Sequence, residues 1–347
     1  MALFSSTNAY LGVDLGASTI KMVELEKKGG RLALVTYGYS ENIQEKSGDG
    51  WTKNTEYVIK VLDKIYKKME ASTAMAVATL PAFSVFSSII TLRNVDKAGI
   101  AAAVEWEAKK FIPLPLEEMI LDWKIITNDK DKEKNNTTVL LTGSPKKLVK
   151  RYVNIFRKTT INLSNLEPET FALIRSLVGA DKSTVMLMEI GAVNTDLFII
   201  KEGIPVLSRS LDVGGKTISR SISGSLNISL DRAEQFKRDL GIVGGQASVD
   251  LIPKTIAATI SPMIEELKYL INLYQNKNAD KVEKVILSGG SALLPNFASY
   301  LSEKLNLNVI VGDPWARVSY PAELKPILSE IGPSFAVAIG AAMRELE

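Results

Sequence analysis

Apolar and polar positions along this 347-residue chain alternate in short runs that predict an α/β protein. Tyr10–Asp14 (YLGVD) reads as an apolar strand, followed by the turn LGAST and by IKMVELE, a strand with alternating outward charges. RLALVTYGYSE reads as a third strand, so the chain opens as a meander around a glycine turn. After a polar loop near Gly48–Gly50, the spacing predicts an amphipathic helix over Asn54–Met69 and a buried strand over Ala74–Leu80.

The next stretch has a different pattern. Val85–Leu92 is β-rich, a helix runs through Val104–Phe111, and Ile112-Pro113 with Leu114-Pro115 end it. A strand is predicted over Met119–Ile126, a charged turn over Asp129–Asn136, a strand over Thr138–Ser144 and a helix over Lys146–Lys158. This strand–helix–strand–strand–helix block is expected to stand as a small inserted subdomain at 83–165.

A second strand–turn–strand unit, VMLMEIGAVNTDLFII, begins at Val185. Like VDLGASTIKMVEL near the start, it has an acid closing an apolar strand, Gly two residues on, a Thr and a β-rich run. The repetition predicts two related halves. Later come a turn at Ser208–Asp212 with Gly214-Gly215, a helix over Lys216–Leu226, and a helix from Asp231 to Leu240. A long helix within Pro253–Gln275, a buried strand over Val282–Leu287, a short strand at Val309–Val311 and a closing helix over Pro333–Leu346 complete the pattern.

Composition narrows the chemistry. The chain has neither Cys nor His, which removes thiol catalysis, disulfides, Cys/His zinc sites and imidazole acid–base chemistry. A metal would be a hard ion held by oxygens, with Mg2+ the natural candidate. Net charge is +3, with both signs interleaved, and no basic block marks a nucleic-acid partner. Lys146-Lys147 with Lys150-Arg151 is a short basic cluster. No apolar run reaches the roughly 20 residues of a membrane span, so a cytoplasmic protein is expected.

Tight glycine turns bring backbone N–H groups close to phosphates, and an adjacent acid can hold Mg2+ directly or through water. Asp14-Leu15-Gly16-Ala17-Ser18-Thr19 supplies one such turn and Glu189 to Asp196 a second. Gly289-Gly290 supplies a third backbone approach, suited to the base and sugar. There is no P-loop Lys-Ser/Thr pattern and no dinucleotide GxGxxG after a strand.

These motifs resemble the actin/Hsp70/hexokinase superfamily, which implies a duplicated, ribonuclease H-like nucleotide-binding fold of α/β class. The resemblance implies ATP with Mg2+ as ligands. It implies that Gly16, Ala17, Ser18, Thr19 and Lys21 form the first phosphate loop and Gly191, Ala192, Asn194 and Thr195 the second. It places Gly214 and Gly215, with Gly289, Gly290 and Ser291 of ILSGGSALLP, around the nucleotide, and makes Glu234 and Lys237 the pair that embraces ribose and base. Asp14 and Glu189 are implied Mg2+ ligands, through water. Asp14, Glu189 and the connecting-segment acid Glu167 are the implied catalytic set. Glu189 departs from the family's usual Asp, and its carboxylate is displaced by about an ångström, a misplacement that can cost a large factor in rate. ATP binding with weak or absent hydrolysis is therefore expected.

The inserted block resembles that of the FtsA and PilM branch, and YLGVDLGASTIKMVEL, VEWEAKKFIPLPLEE, LEPETFALIR and DRAEQFKRDLG are similar to the PilM family of type IV pilus platforms. That resemblance divides the chain into a first half (1–82 and 166–184, with part of 332–347), the insertion, and a second half (185–331, its outer part about 216–254). It implies a cytoplasmic adaptor, peripheral to the inner membrane through its partners, that holds the N-terminal peptide of a PilN-like bitopic membrane protein. The implied groove runs between the insertion and the first half, with Ser84, Val85, Phe86, Ser87, Ile89, Val104, Trp106, Ala108, Phe111 and Ile112 as walls. Self-association, an FtsA-like filament and a small-molecule kinase remain alternatives.

Overall fold

The computed structural model describes residues 8–40, 54–126, 136–242 and 251–347, apart from 97, 113, 278 and 279. The expected loop near Gly48–Gly50, Pro113 and most of the charged turn at 129–136 lie outside these residues.

Two sheets share one plan. The first contains β1 (Ala9–Leu15), β2 (Ile20–Lys28), β3 (Arg31–Ser40), β4 (Met75–Leu80) and β8 (Asn162–Pro168), in the order β3-β2-β1-β4-β8, with the two-residue β14 (Val318–Ser319) outside β3. β1–β3 pair antiparallel, and β4 and β8 add in parallel. The second contains β9 (Val185–Ile190), β10 (Thr195–Lys201), β11 (Ile204–Leu211), β12 (Lys284–Ser288) and β13 (Asn308–Val311), in the order β11-β10-β9-β12-β13. Its pairing is again antiparallel through the meander and parallel beyond it. The inner strands are apolar on both faces, as helix-covered strands must be.

Helix α1 (Thr55–Lys68) starts at Asn54, whose side chain accepts from Tyr57 N–H at 3.1 Å, and buries Val58, Val61, Leu62 and Ile65 on the first sheet. Against the second sheet, α5 (Gly215–Leu226), α6 (Leu230–Leu240), α7 (Leu251–Lys277) and α8 (Phe297–Leu305) share one core with β9, β10 and β12. The halves are joined by α4 (Glu169–Leu173), continuing as a π turn over Ile174–Val178, and by α9 (Lys325–Met343). α9 is long and apolar enough to cross a membrane, but its small residues Ala336, Ala338, Ala341 and Ala342 are wholly buried against the first half and α4.

The third sheet, order β5-β7-β6, comes from β5 (Phe86–Arg93), β6 (Met119–Ile125) and β7 (Asn136–Pro145), with α2 (Ile100–Phe111) on one face. Its core is Ile90, Leu92, Ile100, Val104, Ala108, Ile112, Met119, Val139 and Leu141. Packing places 146–168 elsewhere. α3 (Lys146–Phe156) buries Tyr152, Ile155 and Phe156 among Leu11, Val13 and Leu15 of the first sheet, and β8 pairs with β4. The sequence pattern did not single out β8, because NLSNLEP is an edge strand with no continuous apolar run.

Candidate functional site

Each half puts a turn at the mouth of the cleft where its first strand ends. In the first half Asp14 lies opposite Lys21, and Lys21 Nζ donates to Asp14 Oδ2 at 3.0 Å. Gly16–Thr19 make the intervening turn, with Gly16 folded close under Thr19 C=O. In the second half Glu189 lies opposite Asp196. The Gly191 N–H closes the turn on Asn194 C=O at 2.9 Å, and Thr195 Oγ1 donates to Val213 C=O at 2.7 Å.

These turns bring Asp14, Glu189 and Asp196 towards one region, and the structure adds an acid the sequence did not single out. Glu169, the first residue of α4, accepts from Ala82 N–H at 2.7 Å. Burial raises its pKa well above the ordinary carboxyl value, with Asp196, Glu189 and Asp14 adding to the rise. Burial, then Asp196, pushes Glu189 up to about 8, against the pull of Lys21. Asp196 rises to about 6 by burial, restrained by hydrogen bonds from Ser210 and Asn194. Asp14 and Asp196 are buried while Glu169 and Glu189 keep part of their surface exposed, and such crowding disfavours their charged forms unless a cation joins them. Among the described residues no three acids close into a direct metal cage.

The glycines meet on the other side. Gly215 N–H donates to Gly191 C=O at 2.9 Å, and Lys216 N–H to Ala192 C=O at 2.8 Å, so α5 springs directly from the second turn. A Cβ on Gly215 would sit 2.7 Å from Ser291 Oγ and 3.3 Å from Lys237 Nζ. Gly289 has φ 86° and ψ 169°, a region open only to glycine, and a Cβ there would strike the Ile190 carbonyl. Gly290 follows, with open space beside it. Lys237, 5% exposed, reaches from α6 to Glu234 Oε2 at 2.6 Å and Gly215 C=O at 3.2 Å. Burial lowers the Lys237 pKa, while Glu234, which burial alone would raise, is held low by that ammonium. A surface i,i+3 pair would be solvated, whereas this one is fastened to the glycine junction. The arrangement fits a nucleotide: glycine turns and a lysine at one end, acids for a cation beside them, and a polar pair on α6 flanking the glycines.

Other expectations are corrected. Glu167 does not join the acids. It is 6% exposed and forms two 2.9 Å contacts with Arg175, with Arg344 at 3.7 Å. Strand direction decides this: Glu167 is still in β8, and the helix start two residues later turns Glu169 to the cleft. An acid at the first position of a helix leaving the C-terminal end of a parallel strand was the available signal, since ligands collect at that end.

Val104, Ala108 and Ile112 cannot wall a groove, because they are core residues beneath α2. Phe86 packs partly on the same core. Trp106 and Phe111 are exposed, at 66% and 50%. Val85 and Ser87 line a 320 Å3 cleft shared with Phe83, Phe171, Ser208 and Ser210, where the insertion meets both halves. Ser84 caps the turn before β5 through Pro81 C=O, and Ile89 is half-buried on β5. A larger trench of 880 Å3 runs where the insertion meets α3, with Glu117, Glu118 and Pro145 on one side and Lys146, Lys147, Lys150, Arg151 and Lys158 on the other.

Two sheets of one topology, with glycine turns facing across a cleft, define an actin-like nucleotide-binding fold. MreB5 of Spiroplasma citri in its AMPPNP-bound form superposes with a TM-score of 0.56 at 15% identity, covering 96% of this chain and 95% of that one. A chain of a PilM–PilN type IV pilus biogenesis complex superposes with a TM-score of 0.84 at 24% identity, covering 97% of this chain and 98% of that one. FtsA, the cell division protein of Bacillus subtilis (strain 168), is 20% identical over 351 residues, 89% of this chain and 80% of its own. The model of the family described as type IV pilus assembly protein PilM matches residues 12–346, and the chain belongs to that family.

Proposed function

We propose that this protein is an ATP-binding adaptor of the type IV pilus platform that holds the cytoplasmic N-terminal peptide of a PilN-like membrane protein. The observation that carries the reading is a basic trench on one face of α3, a helix whose other face packs on β1, the strand that leads into the Asp14 turn. α3 lines the trench with Lys147, Lys150 and Arg151, and on its other face sinks Tyr152 into the core. Burial, then Asp14 and Glu169, raise the Tyr152 pKa, and its ring packs with Leu11, Val13 and Leu15 of β1. The peptide is assigned to this trench, with its cationic wall selecting an acidic residue and Pro145 offering an apolar contact.

In the cleft, backbone amides of the two turns and Lys21 would orient phosphates. Asp14, Asp196 and Glu189 would hold Mg2+ through water, the ion neutralising phosphate charge when bound. Burial and Asp196 push the Glu189 pKa up, so a cation between the acids would stabilise its charged form, and its side chain, longer than that of Asp, favours binding over turnover. Halves joined through α4 and α9 are suited to closing on the nucleotide, and closure would move the trench wall.

Calorimetry of Mg-ATP binding, with and without a saturating synthetic peptide from a neighbouring bitopic membrane protein, tests this. Reciprocal tightening or weakening is expected, because coupling between two sites is symmetric. Lack of any saturable peptide binding that depends on Lys150 and Arg151 would overturn the adaptor role.

A further inference from the structure

The inserted sheet ends in an open edge. Among the described residues, β6 bonds to β7 on one side only. Ile126 N–H donates to Thr138 C=O at 2.8 Å, so even-numbered residues of β6 turn their backbone groups towards β7. Leu121, Trp123 and Ile125 therefore turn theirs outward. In agreement, the Trp123 N–H is met by Asp122 Oδ1 at 2.9 Å and not by a strand. The edge also exposes Ile120 and Ile125, at 42% and 52%. Such an edge is a template for another strand.

The strand is self-complementary about Trp123. Asp122 and Lys124 flank it with opposite charges, and Leu121 and Ile125 lie one step further out. An antiparallel copy centred on Trp123 sets Asp122 against Lys124 twice and Leu121 against Ile125 twice. It also brings the outward-facing odd residues opposite one another, as the ladder requires. A shift of one residue between the strands sets odd against even and loses the ladder. Centring on Asp122 or on Lys124 keeps the ladder but opposes like charges.

We propose that a second copy of this chain docks here, β6 against β6, as a two-fold symmetric dimer with one continuous six-stranded sheet. In it, Trp123 N–H exchanges Asp122 for the backbone of the second copy, and Asp122 turns to the second copy's Lys124. The interface is closed, unlike the head-to-tail contact that builds a filament. It uses neither the nucleotide cleft nor the trench.

Sedimentation equilibrium of the full chain tests the proposal. Asp122→Lys and Lys124→Asp should each weaken dimerisation by about tenfold or more, since each creates two like-charge pairs. The double variant D122K/K124D should restore it. Ile125→Pro should abolish it while leaving the thermal melt unchanged at dilutions where both chains are monomeric, because that N–H makes no bond within its own sheet. A chain that stays monomeric at every soluble concentration, single reversals without effect, a double variant no stronger than the singles, or an Ile125→Pro chain that still dimerises would each overturn the proposal.

Discussion

Lys21 and Asp14 face each other across β1 and β2 with Nζ 3.0 Å from Oδ2, and the matching position in the second half pairs Glu189 with Asp196. One half thus offers an acid beside a cation, the other an acid beside an acid. Without ligand, Asp14 occupies the ammonium that phosphate would claim. Lys21→Ala is expected to weaken ATP binding by about tenfold to a hundredfold, the range for a charged hydrogen bond, in a titration with a fluorescent ATP analogue.

The acid pair sets a pH dependence. Glu189 has a folded pKa of about 8 against an ordinary 4.5, and Asp196 about 6 against 3.8. The folded chain therefore binds more protons than the unfolded chain between these limits, and stability falls as pH rises from about 4 to about 8. Melting temperatures of the nucleotide-free protein should decline across that window. Glu189→Gln should flatten the upper part of the decline and raise the melting temperature at pH 8.

Glu167 and Glu169 should separate cleanly. Glu167→Gln breaks a buried pair with Arg175 and is expected to cost about 3 kcal/mol of stability with little change in Mg2+ dependence. Glu169→Gln removes an ionisable group whose charged form burial and the neighbouring acids disfavour, so it should preserve or raise stability while altering the Mg2+ dependence of ATP affinity. Denaturant unfolding and nucleotide titration over a Mg2+ series distinguish the two.

The glycine junction predicts a third kind of defect. Gly289→Ala must leave a glycine-only conformation and displace the Ile190 carbonyl, so a loss of about 1–3 kcal/mol is expected. Gly215→Ala meets only the side-chain ends of Ser291 and Lys237 at its close contacts. It should fold, with a lower thermal melt shift on adding ATP than the parent chain shows.

By itself the sequence determined the local elements and the duplicated plan. Apolar periodicity marked β1, β4, β9 and β12 because strands covered on both faces leave little choice of residue, and glycine two residues after an acid marked both turns, where a Cβ would crowd a carbonyl of the turn. Absent Cys and His limited the chemistry to oxygen ligands. Only the tertiary structure decided which acid of EPET faces the cleft, since a strand-to-helix transition reverses direction within two residues. It also decided that Val104, Ala108 and Ile112 belong to the core. Helix spacing marks an apolar face without saying whether a sheet or a partner covers it. The same limit applied to KKLVKRYVNIF. Its basic face was visible as a cluster, but that this face lines a trench, and that its opposite face sinks Tyr152 against Leu11 and Val13 of β1, depends on contacts between residues more than a hundred positions apart.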